Sequence, residues 1–183
     1  MSLALIMNFN TSGQSFSAQE ISQFGVYSDM VYGMSVSDLD NDSRKDFIIY
    51  QGASLDVYID KPERQPVKQK LSSSKFYNGI AFDYNDDGLV DIVGVGETIN
   101  FYMNTGNGNF ISDAITKVDT SVTFSYRHID TLDLNNDNMV DIVISVLNSD
   151  ANRYYCFVLY NKGNGVFSRP YNVNISFFVI AGV

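Results

Sequence analysis

Short apolar runs alternate with polar breaks along most of this chain. The runs Phe47-Ile48-Ile49-Tyr50, Ile92-Val93 and Ile142-Val143-Ile144 are rich in β-branched and aromatic residues. Such side chains suit a pleated, half-buried surface, and the breaks between runs are made of Gly, Asn, Asp and Ser, the residues of tight turns. No stretch shows a helical period with caps. The pattern predicts an all-β chain of many short strands.

The strands are organised by a repeat. Three acidic segments align: Asp38-Leu39-Asp40-Asn41-Asp42-Ser43-Arg44-Lys45-Asp46, Asp83-Tyr84-Asn85-Asp86-Asp87-Gly88-Leu89-Val90-Asp91 and Asp133-Leu134-Asn135-Asn136-Asp137-Asn138-Met139-Val140-Asp141. Each precedes an apolar run, and their first Asp recurs after 45 and then 50 residues. A second marker recurs out of phase: Asn104-Thr105-Gly106-Asn107-Gly108-Asn109-Phe110 matches Asn161-Lys162-Gly163-Asn164-Gly165-Val166-Phe167, with a weaker copy at Asn10–Phe16. Gly and Asn tolerate positive φ, so these are read as hairpin turns.

Each period then reads as four strands. In the middle unit these are Phe76–Phe82, Asp91–Val95, Thr98–Asn104 and a fourth beginning at Phe110. Four strands in a period of about 40–50 residues make a propeller blade. The expected architecture is a β-propeller or partial propeller of four-stranded antiparallel blades, about three full blades plus terminal strands. Residues 25–71, 76–118 and 124–173 are the blades, 1–21 the end of a preceding blade and 174–183 the start of a further one. Strand one of that further blade would stop just where its acidic loop is due. The expectation is therefore a fragment of a longer parent chain, a closed degenerate fourth blade, or a homo-oligomer that completes the ring and covers edge strands. Between the first two units, Lys61–Lys75 replaces the Gly-rich turn with Pro62, Pro66 and several basic residues, and reads as a longer solvated loop around an edge strand.

Composition narrows the function. The chain has 183 residues, 45% hydrophobic and 18% charged, which is enough for a folded core. Its formal net charge is −9, which repels phosphate backbones and argues against nucleic acid as a partner. No apolar stretch reaches the roughly 20 residues of a membrane-spanning helix, and no signal peptide is read at the start. The one cysteine, Cys156, lies in an apolar strand run and reads as a small buried hydrophobe. The one histidine, His128, has no nucleophile beside it in sequence and reads as a strand-edge structural residue. Asn10, Asn41 and Asn174 each begin a glycosylation sequon, a weak signal in so Asn-rich a chain.

The acidic loops carry the chemistry. Hard cations such as Ca²⁺ take six to eight oxygen ligands, roughly 2.3–2.6 Å away. Short acidic or amide side chains at positions 1, 3 and 5 of a tight loop converge on one centre. A backbone carbonyl at position 7 adds an oxygen and the Asp at position 9 closes the cage. Position 6 makes the sharp turn and favours Gly; it is Gly88 in the second loop, Asn138 in the third and Ser43 in the first. The Glu-terminated helix–loop–helix alternative fails, since position 12 is Ile49, Gly94 or Ile144 and the flanks are strand-forming. Three Ca²⁺ ions would bring the net charge to about −3.

In these loops, the Asn-x-Gly-Asn-Gly-x-Phe hairpins, Phe24-Gly25 and Gly52-Ala53-Ser54, the chain resembles the FG-GAP or VCBS repeat family, to which the integrin α propeller belongs. The resemblance implies a Ca²⁺-binding propeller with up to three ions. The implied ligands are Asp38, Asp40, Asp42, Arg44 (carbonyl) and Asp46; Asp83, Asn85, Asp87, Leu89 (carbonyl) and Asp91; and Asp133, Asn135, Asp137, Met139 (carbonyl) and Asp141. It also implies an extracellular or cell-surface, non-catalytic module for adhesion or for binding a protein or glycan. Two alternatives stand beside it. One is a lectin, with Tyr32, Tyr77 and Tyr126 stacking on sugars rather than packing between blades. The other is the scaffold portion of a larger secreted enzyme.

Overall fold

The computed structural model describes residues 31–62, 66–96, 98–113, 125–148, 153–168, 171–173 and 177–178. The expected preceding blade at 1–21, Phe24-Gly25 and the sequons at Asn10 and Asn174 lie outside them.

The described residues form three antiparallel sheets. The first runs in the order β1 (Val31–Ser37), β2 (Asp46–Gln51), β3 (Leu55–Ile59) and β4 (Val67–Ser72). The second runs β5 (Phe76–Phe82), β6 (Asp91–Gly96), β7 (Ile99–Asn104) and β8 (Phe110–Asp113). The third contains β9 (Ser125–Leu132), β10 (Asp141–Asn148), β11 (Arg153–Leu159) and β12 (Tyr171–Asn172). The all-β, four-stranded pattern read from the sequence is the one observed, and among the described residues the sheets are not closed into a ring. Phe177–Phe178, expected to open a further blade, forms β13 instead and pairs with Tyr154 and Arg153 of β11. The outer strand of the third sheet is thus split into β12 and β13, both laid along β11.

Neighbouring residues on one strand serve different cores. Ile92 packs with Ile48, Tyr50, Leu55 and Val57 between the first and second sheets. Val93, next along β6, packs with Ile129, Ile142, Ile144 and Leu159 between the second and third. Burial on both faces explains why β6 and β2 read as unbroken apolar runs rather than as alternation. The first strands β1, β5 and β9 lie side by side. Ser35 Oγ donates to the Gly79 carbonyl at 3.1 Å, and Asn78 Nδ2 lies 2.9 Å from His128 Nδ1.

The Gly-rich hairpins lock one sheet to the previous one. Asn104 Nδ2 donates to the Leu39 carbonyl of the preceding acidic loop at 2.8 Å and to Val90 of its own at 2.9 Å. Asn161 Nδ2 repeats this with Tyr84 and Val140, each at 3.3 Å. A side-chain amide has two hydrogens, so one Asn can bridge two carbonyls. Gly108 approaches the preceding unit so closely that a Cβ there would stand 2.7 Å from Ile59 Cδ1. The first-unit counterpart of Asn104 and Asn161 is Asp60, whose carboxylate cannot donate as their amides do.

Candidate metal-binding loops

Each acidic loop connects the first strand of a sheet to the second, so all three stand at the same end of the sheets. They share one scheme of bonds from backbone N–H groups to side-chain oxygens. At position 1, Asp38, Asp83 and Asp133 accept the N–H of position 5 on Oδ1, at 3.1–3.2 Å, and the N–H of position 6 on Oδ2, at 2.8–3.0 Å. At position 3, Oδ1 of Asp40, Asn85 and Asn135 accepts the same position-5 N–H at 3.0–3.3 Å. At position 5, Oδ1 of Asp42, Asp87 and Asp137 accepts the N–H of Arg44, Leu89 and Met139 at 2.8–2.9 Å. The loop amides therefore aim the arms of positions 1, 3 and 5 at one another.

That winding needs two left-handed residues per loop. Position 6 is one, with φ of 68° at Ser43, 84° at Gly88 and 66° at Asn138. Position 4 is the other, with φ of 60° at Asn41, 65° at Asp86 and 59° at Asn136. The sequence reading missed position 4, though its occupants carry a signal: Asn and Asp tolerate this conformation better than any other residues with a Cβ. Only Ser43 departs from that preference.

Position 9 has a role beyond the expected one of closing the cage. Asp46, Asp91 and Asp141 are fully buried. Oδ2 of each accepts the position-2 N–H, from Leu39 at 2.7 Å, Tyr84 at 3.3 Å and Leu134 at 3.0 Å. Oδ1 accepts the N–H of Asp60, Asn104 or Asn161 at 2.8 Å. Each carboxylate thus ties the loop to the end of the third strand. Burial pushes the Asp46 carboxyl up to about 6 and Asp91 up to about 7, outweighing the two backbone N–H bonds that favour the charged form; neighbouring loop carboxylates push the same way.

The donor set fits a hard divalent cation. It is made of oxygens, it is held by the loop's own backbone, and in the first loop Asp38, Asp40 and Asp42 offer carboxylate oxygens within 4.8 Å of one another. The loops nonetheless differ at position 3. Asn85 and Asn135 donate Nδ2–H to the position-5 carboxylates, whereas Asp40 takes the Lys61 ammonium. Arg44 also turns its guanidinium from the first loop onto Asp60 through Nε, at 2.9 Å, and Nη2.

Of the remaining residues singled out in the sequence, Tyr32 and Tyr77 meet edge-on with ring centroids 5.1 Å apart. Lys75 Nζ lies 4.7 Å from the Tyr77 ring centre and 5.3 Å from that of Tyr32. The Tyr126 side chain lies outside the described residues. Cys156 is half-buried, and burial raises its thiol pKa. Asn41, with its sequon, sits exposed within the first loop.

Comparison with known proteins bears on the repeat and on the fold. Residues 83–144, which run from the second acidic loop through β6, β7, β8, β9 and the third acidic loop to the start of β10, match an FG-GAP-like repeat. No curated protein sequence matches the chain. Among solved structures, the chain is similar to an Agrocybe aegerita lectin described as specifically recognising non-reducing terminal N-acetylglucosamine. The TM-score is 0.52 at 21% identity, over 76% of this chain and 37% of that one. The likeness is one of fold, and the chain spans well under half of the lectin's length. The chain carries an FG-GAP-like repeat over residues 83–144, set in an all-β array of propeller-type sheets.

Proposed function

We propose that the chain is a Ca²⁺-stabilised segment of a propeller that presents its surface to a protein or glycan ligand, outside the cell or at its surface, without catalysing a reaction. The observation that supports it is the triple recurrence of one loop geometry. Three times, the side chains of positions 1, 3 and 5 are turned together by the loop's own N–H groups. Ca²⁺ would supply positive charge to these arms, and would pin the connection between the first two strands of each sheet. His128, the one histidine, is engaged with Asn78 between β5 and β9, which fits a structural place better than a proton-transfer role.

Thermal melting of the chain in millimolar Ca²⁺ and in excess chelator tests this. A ligand of the folded state at about 100 times its Kd adds about 2.7 kcal/mol, so calcium raises the melting point by several degrees. Equal melting points in the two buffers would refute the reading.

The similar lectin fold and the Tyr32–Tyr77 pair favour a glycan as the ligand. Tyr32 is 38% exposed, and tyrosine offers both a stacking face and a hydroxyl. On a glycan array, binding that Tyr32→Ala and Tyr77→Ala abolish would support this reading. A blank array, or binding indifferent to both substitutions, leaves the protein-ligand form.

A further inference from the structure

At position 3 the first loop departs from the other two, and a side chain from a distant hairpin answers that departure. Position 3 is Asn in loops two and three, and each amide donates to its position-5 carboxylate, Asn85 to Asp87 at 3.0 Å and Asn135 to Asp137 at 2.8 Å. In loop one it is Asp40, which when ionised has no proton to donate. A fourth carboxylate there adds repulsion among Asp38, Asp40, Asp42 and Asp46.

Lys61 supplies the missing positive hydrogens. Its ammonium contacts Asp40 Oδ2, and the Asp40 side chain is only 2% exposed. Lys61 follows Asp60, the residue whose N–H reaches the position-9 carboxylate, so its counterparts in the other units are Thr105 and Lys162. Lys162 provides an internal control. It has the same place in its unit, yet it is exposed and makes no ion pair among the described residues. A lysine here turns into the loop where position 3 is a carboxylate and stays out where it is an amide. The first unit adds a reciprocal latch, since Arg44 of the loop pairs with Asp60 beside Lys61.

We infer that Lys61 is a built-in cation for the first loop, so that a divalent ion there must displace it and binds much more weakly than in loops two and three. The competition rests on the calcium reading above; the ion pair does not. A lysine ammonium is a compact point charge on a flexible stem, which suits it to fill such a site and to leave it.

Two measurements on the full chain test this. In calcium titration calorimetry after chelator treatment, the wild type takes up two ions tightly and a third at least about 10-fold more weakly, a gap of roughly 1.4 kcal/mol. Lys61→Met brings the third ion to the affinity of the others. Three equivalent ions in the wild type, or a third ion unmoved by Lys61→Met, would overturn the proposal. In chelator, Lys61→Met melts about 2–4 °C below wild type, the shift of a modest coupling in a chain this size, and adding Asp40→Asn restores most of the loss. Additive losses in the double variant would show that the pair does not exist, whatever calcium does. A wild type that binds no Ca²⁺ while the chelator series still shows coupling would strike the calcium reading and the competition, and would leave Lys61 as the cation paired with Asp40.

Discussion

Asp91→Ala is expected to destabilise the chain by about 2–6 kcal/mol even in chelator, because it strands two buried backbone N–H groups at about 1–3 kcal/mol each. Those donors are Tyr84 in the loop and Asn104 at the end of β7, both bound to this carboxylate, which is itself fully buried. Asp91→Asn keeps one acceptor and turns an NH₂ toward the other N–H, so it should fall between wild type and Ala. Asp87→Ala is the comparison. Its carboxylate is exposed and accepts the Leu89 N–H at the loop surface, so in chelator it should lose less than about 1 kcal/mol. Urea denaturation of the three variants in chelator measures this. If Asp91→Ala and Asp87→Ala lose equally little, position 9 serves only as a ligand and the brace is not there.

The same burial predicts how metal-free stability varies with pH. The Asp46 and Asp91 carboxyls are raised to about 6 and about 7 in the folded chain, above their ordinary value of 3.8. A raised carboxyl favours folding when protonated. Its contribution is full below pH 4 and is lost as pH rises through about 6 to 7. In chelator these two groups should therefore make the protein less stable at pH 8 than at pH 5. A bound dication would favour the charged carboxylates and remove that decline.

Local features of this molecule were legible in the sequence, and features that join distant residues were not. The strand from Phe76 to Phe82 and the hairpin turns at Gly106–Gly108 are written in residue type and spacing. So is the convergence of positions 1, 3 and 5, because seven consecutive residues of one loop make it. The brace made by Asp46, Asp91 and Asp141 could not be read, since a buried brace calls for the same side chain as the cage ligand the sequence led us to expect. Lys61 meets Asp40 across 21 residues of sequence, and nothing local distinguishes it from a solvated lysine of a basic loop. Phe177 and Phe178 look like any strand start, and only the free edge of β11 decides where they pair. Asn104 and Asn161 look like hairpin residues, yet their amides carry the bonds from unit to unit.

This reliance on contacts between units leads to the second large effect, at Gly79. Gly→Ala in a strand ordinarily stabilises by about 0.4–1 kcal/mol, because it restricts the unfolded chain. At Gly79 the sign should reverse. A Cβ there would lie 2.3 Å from Cε1, 2.5 Å from Cζ and 2.6 Å from Oη of Tyr50, the ring that the first unit presses against β5. Tyr50 has no room to withdraw. It is fully buried between the first two sheets, and its hydroxyl donates to Ser35 Oγ at 3.3 Å. The overlap falls on a rigid ring rather than on a flexible tip, so Gly79→Ala should cost about 1–3 kcal/mol, as overpacking does. Tyr50→Leu removes the atoms the new methyl would strike and leaves a cavity with its own cost. The two changes made together should then lose less than the sum of each alone, with a coupling of about 0.5–3 kcal/mol. Because Tyr50 and Gly79 meet in the contact between the first and second sheets, that loss should loosen the junction of these two sheets. Hydrogen exchange would show it as faster exchange in β1 and β5 and unchanged rates in β10. A neutral or stabilising Gly79→Ala would mean that the two sheets do not meet through Tyr50.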